Sequence, residues 1–440
     1  MSNGDMRVKK LRYGVIGVKG AGDLHARLVQ RSDAAELTAV VDIDAELVKQ
    51  KATELGVRGF TDHRDLLAAG LVDAVSIATL HHLHAPIALD CLHAGLHVFI
   101  EKPIATRVSE ADKILELASV KQLKLCVGHQ YRTFRSVRVM KTLIDAGHIG
   151  NVMRVLWSWG AFRPHCYFAL SPWKTTWRTA GGGLSTYHLI HDLDTLCWLV
   201  GTPVQVTALL GNQLHDIEVD DILCAAVRFE NGAYASIQAT LNAPSGHSVR
   251  QIAGDKGIIV IPDARSLTYD HGDRILIGTY EDSLQASAAK LTNPLDEPKT
   301  SWRAIELNGA GDRAGQGSRG WLSRLMSLKA ARSPVRPADD SSGPVPPSLA
   351  ALLERFETAP RPRPHGLSLL MDSFVDAVLH GGEPMVGGES ARRTLELANA
   401  ITLSAMRRKT VDLPLDREEY DELFEELSAG RSRLAKSRRV

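Results

Sequence analysis

The first 130 residues repeat one hydropathy rhythm: a short apolar run closed by a glycine, an acid or a proline, then a stretch with apolar residues at helical spacing. The runs fall at 11–17, 37–42, 74–78, 98–100 and 123–128, and the helical stretches at 23–31, 47–55, 86–94 and 110–120. Asp62-His63-Arg64-Asp65 caps one further helix. Runs that are apolar at nearly every position read as strands buried on both faces, and helical crossovers between them predict a doubly wound parallel sheet of the Rossmann type. From Asn151 the rhythm changes. Runs at 152–159, 204–210, 222–229, 233–241 and 249–253, separated by turns, predict a second, α+β domain with a large open, mostly antiparallel sheet. One apolar-periodic helix, 186–200, lies between its first two strands. The expected division is α/β: a dinucleotide-binding domain over 8–130, a substrate and oligomerisation domain over 131–415, and a helix with a basic tail over 416–440. Residues 263–366 interrupt the pattern. They read as a variable, partly flexible insertion with a hairpin at 266–280 and a short helix near 349–356, before helices return at 367–379 and 390–406.

Composition narrows the function. The 440 residues are 44% hydrophobic and 23% charged, with a formal net charge of +1, so neither nucleic acid nor a charged membrane is expected as a partner. No apolar run approaches the ~18–20 residues of a membrane span, and no hydrophobic segment follows the basic residues near the N-terminus. The five cysteines are scattered, which argues against a disulfide framework or a zinc site. The expected location is the cytoplasm.

Two stretches carry chemistry. Gly17-Val18-Lys19-Gly20-Ala21-Gly22 follows the first strand, and Asp42 closes the second, twenty residues after Gly22. Strand, glycine turn, helix, strand and acid in that order form a dinucleotide fingerprint: glycines let the pyrophosphate approach a helix N-terminus, and the acid takes the ribose hydroxyls. Lys19 stands where the second glycine belongs. Asp42 favours NAD, because a carboxylate repels a 2′-phosphate; Lys19 opposes that preference and keeps NADP as the alternative. The second stretch is Val98-Phe99-Ile100-Glu101-Lys102-Pro103, a strand whose carboxyl end presents a lysine at the edge where open α/β sheets bind ligands. His81, His82, His84 and His93 are close in sequence, but no carboxylate or cysteine completes a ligand set, so no metal is expected. His82 and His84 are placed instead to line a pocket. On the helix 186–200, Tyr187 and His191 share one face at helical spacing, with His188 beside them. A histidine titrating at ~6.5 exchanges protons near neutrality, whereas a lysine at ~10.4 needs a lowered pKa to act as a base.

With these residues in place the chain resembles the glucose–fructose oxidoreductase, inositol dehydrogenase and rhizopine-catabolism (Gfo/Idh/MocA) family, over roughly residues 11–262 and 367–415. The motifs are Ala78-Thr79-Leu80-His81-His82-Leu83-His84, Glu101-Lys102-Pro103, Val127-Gly128-His129-Gln130-Tyr131-Arg132, Trp177-Arg178 before Gly181-Gly182-Gly183, His191-Asp192-Leu193-Asp194, Gly388-Glu389-Ser390-Ala391-Arg392 and Val411-Asp412-Leu413-Pro414. The resemblance implies Lys102 and His191 as the proton carriers, with Tyr187 orienting substrate or sharing the relay. It implies cofactor contacts at Thr79, His82, His84, Glu101, Lys102 and Gln130 beside the glycine loop. Substrate contacts are implied at Lys102, Trp177, Arg178, Tyr187, His188 and His191. The implied activity is NAD-dependent interconversion of a secondary hydroxyl and a ketone on a sugar, sugar derivative or cyclitol, by a homodimer or homotetramer. Three departures stand out: Lys19, the Leu80-His81 pair in place of Pro-Asn, and Tyr187 where many sugar dehydrogenases carry aspartate. Two alternatives stay open: a redox-assisted lyase or glycosidase with tightly bound NAD, and a non-catalytic regulatory protein on the same fold, which Lys19 and Tyr187 keep alive.

Overall fold

The structure is a computed structural model that describes residues 10–244, 248–262, 274–307, 366–431 and 434. The helix expected near 349–356 and nearly all of the basic tail lie outside the described residues.

Six strands build the first sheet: β1 (Leu11–Ile16), β2 (Ala35–Val41), β3 (Arg58–Phe60), β4 (Ala74–Ile77), β5 (His97–Ile100) and β6 (Leu125–Val127). All pairs are parallel, in the order β3-β2-β1-β4-β5-β6. Strand order reverses between β1 and β4, and the carboxyl ends of β1, β4 and β5 open onto that crevice. The expected doubly wound sheet is therefore present. One helix starts earlier than the pattern predicts, at His81 rather than Pro86, and runs to His93 with Leu80 as its N-cap. Proline normally marks a first turn, but here Pro86 sits inside the helix and leaves the His82 carbonyl without its usual amide donor. Thr79 remains on the connection, while His82 and His84 are helical.

The second sheet has nine strands: β7 (Val152–Gly160), β8 (Pro203–Gly211), β9 (Ile222–Phe229), β10 (Tyr234–Thr240), β11 (Arg250–Gly254), β12 (Gly257–Ile261), β13 (Arg274–Tyr280), β14 (Thr300–Glu306) and β15 (Val411–Asp412). Its order is β14-β13-β12-β11-β7-β10-β9-β8-β15, and only β7 with β10 is parallel. Residues 274–307, expected within the insertion, instead extend this sheet with two strands and the helix Leu284–Lys290. One face is apolar: Val155, Trp157, Val227, Ile237, Ile252 and Ile277 share a core with the helices Ile190–Val200 and Gly388–Arg407. The other face is open, with Leu156 41%, Leu209 73%, Tyr234 62% and Trp302 45% exposed.

Two late helices bind the units together. Gly366–His380, expected within the second unit, packs on the first sheet, where Phe374 meets the Tyr13 and Phe99 rings edge-on. Arg417–Ser428 buries Tyr420, Leu423, Phe424 and Leu427 in the second core, and the Tyr420 hydroxyl accepts from the Asn399 amide at 2.9 Å. Among the described residues no helix is long and apolar enough to cross a membrane.

Candidate active site

A cleft of about 1070 Å3 runs along the carboxyl edge of the parallel sheet, and the segment 170–174 with Tyr187 walls its inner end. Gly17, Lys19, Gly20, Ala21, Asp42, Thr79, His84, Glu101 and Lys102 all line it. At its outer end two glycines are forced by close approach. A Cβ on Gly17 would stand 2.7 Å from the Ala78 carbonyl oxygen, and one on Gly22 would stand 1.6 Å from that of Gly17. Gly20 caps the helix Ala21–Gln30 with open space around it, so the amides of the first turn face a cradle that no side chain fills. The exposed Lys19 joins this wall. The Asp42 carboxylate is oriented by two backbone amides, Val18 at 3.0 Å and Asp44 at 3.2 Å. Beyond it, Ile43 is 91% exposed and lies on the cleft wall with Leu47, Thr61 and Arg64. A dinucleotide fits these residues: pyrophosphate at the helix N-terminus, ribose on Asp42, and a flat apolar ledge for the base.

The inner end is built around Lys102. Its ammonium donates to the Tyr187 carbonyl at 2.8 Å and lies 4.5 Å from the centre of the Tyr187 ring. The Lys102–Pro103 bond is cis. Burial pulls the amine down to about 8; Glu101 opposes that and the charge of Lys174 reinforces it. Below Lys102 runs a buried chain of hydrogen bonds. Glu101 Oε1 meets His25 Nε2 at 3.0 Å, His25 Nδ1 meets Ser76 Oγ at 2.9 Å, and Ser76 Oγ meets the Tyr13 hydroxyl at 2.9 Å. Burial alone would raise the Glu101 carboxyl, but the His25 bond and the charges around it hold it below the ordinary range. Glu101 therefore stays an anion beneath the lysine. Its other oxygen accepts the Lys102 amide at 3.2 Å. His84 sits between two carbonyls, Pro103 at 2.7 Å and Thr79 at 3.2 Å, and ties the ends of β4 and β5 together. His81 faces its Nδ1 to the Ala180 carbonyl at 2.7 Å and stacks on Tyr187 at 5.4 Å; burial and neighbouring positive charge keep its ring neutral. The three neighbouring histidines thus hold separate carbonyls. Among the described residues no group of three or more His, Cys, Asp or Glu could hold a metal ion.

The structure divides the remaining expected residues. Tyr187 and His191 do not share a face, because residues Leu184–His188 form a π-helical turn whose Leu189 amide reaches back to Leu184. The extra residue in that turn rotates Tyr187 away from the regular helix that begins at Ile190. Tyr187 enters the cleft, whereas His191 stacks on Tyr131 at 4.6 Å, beside His129. His188 lies behind Tyr187, 3.4 Å from the Tyr167 hydroxyl. Trp177 is 1% exposed and donates to the Glu218 carbonyl, a core position, and Arg178 is exposed off the cleft. Gly22 supports the loop from beneath, His82 faces the Thr179 carbonyl, and Gln130 begins a 3-10 turn after β6; none of them lines the cleft. Sequence reasoning missed His81 and Lys174 as wall residues. For His81 the signal was its place directly after the β4 connection. For Lys174 there was none, since nothing local says that 170–174 folds back over Lys102.

Residues 11–129 match the oxidoreductase family with an NAD-binding Rossmann fold, and residues 137–260 match the GFO/IDH/MocA C-terminal domain. Inositol 2-dehydrogenase 3 of Saccharopolyspora erythraea is 30% identical over 58% of this chain and 73% of its own. A 2,7-anhydro-N-acetylneuraminate hydratase of Mediterraneibacter gnavus is 25% identical over 92% of this chain and 97% of its own. The WlbA dehydrogenase of Bordetella pertussis, solved with NADH and UDP-GlcNAcA, superposes with a TM-score of 0.69 at 25% identity, over 93% of this chain and 99% of that one.

Proposed function

Since the chain belongs to the GFO/IDH/MocA family of NAD-dependent oxidoreductases, we propose that it interconverts a secondary hydroxyl and a ketone on a sugar, sugar derivative or cyclitol, with Lys102 handling the proton. One observation carries this reading. The Lys102 amine, lowered to about 8, projects from the end of β5 into a cleft whose other end fits a dinucleotide. NAD supplies the hydride acceptor when bound. In oxidation, the neutral amine of Lys102 takes the hydroxyl proton, and in reduction its ammonium returns it. Glu101, held anionic by His25, stabilises that ammonium. His81 presents a neutral ring beside the same atoms, and Tyr187 and Trp173 offer apolar faces to a sugar ring. His191, which stacks on Tyr131 outside the cleft lining, is given no proton step in this reading. The inositol dehydrogenase relative and the sugar-nucleotide complex of WlbA support the substrate class.

A second reading is favoured by the hydratase match across 92% of the chain and by the second neutral proton carrier, His81, against Tyr187. There the same oxidation is transient and drives an elimination or hydration. Titration with NADH, followed by a polyol and sugar screen, separates the readings. Tight NADH binding, weakened about 10- to 100-fold in Asp42→Ala by loss of charge-assisted bonds to the ribose, is expected. So is turnover that disappears in Lys102→Met while NADH still binds. Turnover without NADH accumulation selects the second reading, and absence of NADH binding refutes both.

A further inference from the structure

Positive charge gathers at the inner end of the cleft, where Lys102 and Lys174 line the wall and Arg163 stands next to them outside that lining. The Tyr167 ring has Lys174 Nζ 4.1 Å and the Arg163 guanidinium carbon 5.1 Å from its centre. Lys174 is also 5.0 Å from the Tyr187 ring, on which Lys102 lies at 4.5 Å. Three cations thus converge on one cluster of aromatic side chains. Among the described residues none of the three is ion-paired with a carboxylate: the nearest acid to Lys102, Glu101, pairs with His25. Arg163 Nε is buried without a hydrogen-bond acceptor, and another nitrogen of the group reaches only the adjacent Phe162 carbonyl, at 3.2 Å. A buried guanidinium N–H that lacks an acceptor calls for one, and Lys174 and Arg163, neither of which has a carboxylate at ion-pair distance among the described residues, repel one another until an anion joins them.

Resting on the oxidoreductase reading, we propose that Lys174 and Arg163 form an anion subsite, so that the substrate is a sugar or cyclitol bearing a carboxylate or phosphate. The anion docks against these two side chains, the ring lies against Trp173, and the reacting hydroxyl reaches Lys102. The chemistry is charge-assisted hydrogen bonding, bidentate on the guanidinium side. The subsite lies at the opposite end of the cleft from Lys19 and the glycine loop, so it acts on substrate and leaves the dinucleotide untouched.

The test is calorimetry and initial rates on the full chain with matched probes: D-glucuronate against D-glucose, D-galacturonate against D-galactose, and D-glucose 6-phosphate. At least one charged probe is expected to bind about tenfold or more tightly than its neutral counterpart, the range of a charge-assisted bond. Lys174→Gln and Arg163→Gln should each erase most of that gap, with NADH affinity and melting temperature unchanged. Preference for uronates identifies a carboxylate, and preference for the phosphate identifies a phosphate. Equal binding of charged and neutral probes, binding of none of them, or a Lys174→Gln defect that falls on NADH overturns the subsite. Loss of NADH binding with the charge preference intact would instead sink the oxidoreductase reading and leave the subsite standing.

Discussion

The proposed proton transfer rests on one atom, Lys102 Nζ. An amine near 8 is part base and part acid at physiological pH, and the two directions of reaction need opposite forms. For oxidation, kcat/KM is expected to rise about tenfold per pH unit and to level off above about 8, because the neutral amine accepts the proton. For reduction the limb is reversed and activity falls above about 8. Initial rates between pH 6 and 10 in both directions check this, and a reduction profile that stays flat through pH 8 would remove Lys102 as the proton donor. Glu101-Lys102-Pro103 and the pair Gly17 with Asp42 were legible in the sequence, because strand ends and glycine turns are local events. His81 and Lys174 were not, because their roles depend on a loop from the second unit arriving over the first sheet.

At the scale of elements, the π turn Leu184–His188 decides which side chains see the cleft. Strict helical spacing pairs Tyr187 with His191; the turn separates them, and no periodicity in the sequence announces it. Its anchor is Asp220, whose carboxylate accepts the Gly183 amide at 2.9 Å and the Ser185 amide at 3.1 Å. A Cβ on Gly183 would stand 2.2 Å from the Asp220 carbonyl oxygen. Gly183→Ala should therefore destabilise the fold by about 3 kcal/mol through overpacking, read by denaturant unfolding. Turnover should fall further than stability accounts for, since Tyr187 and its carbonyl move with the turn. The βα rhythm of the first sheet was readable because every strand there is apolar on both faces. The helix start at His81 and the strand β14 were not, since a proline and a polar flank disguised them.

At the scale of the whole molecule, the open face of the nine-stranded sheet leaves Leu156, Leu209, Tyr234 and Trp302 in water. Large apolar side chains left exposed across an open sheet face are commonly covered in assemblies, which supports a homodimer or homotetramer formed through it. Tyr234→Glu with Leu156→Glu should shift the mass measured by light scattering to that of a monomer while NADH binding persists. A parent chain that is already monomeric at micromolar concentration would contradict the assembly. The two units also meet at the catalytic atom, since Lys102 leaves the first sheet and its amine is held by the Tyr187 carbonyl of the second. If the units part by even a few ångströms, water replaces that carbonyl, the amine regains hydration and its basicity climbs back toward that of free lysine. The proton carrier is then charged and idle at neutral pH. Under the proposed role of Lys102, the basicity of the proton carrier is thus set by the contact between the two units.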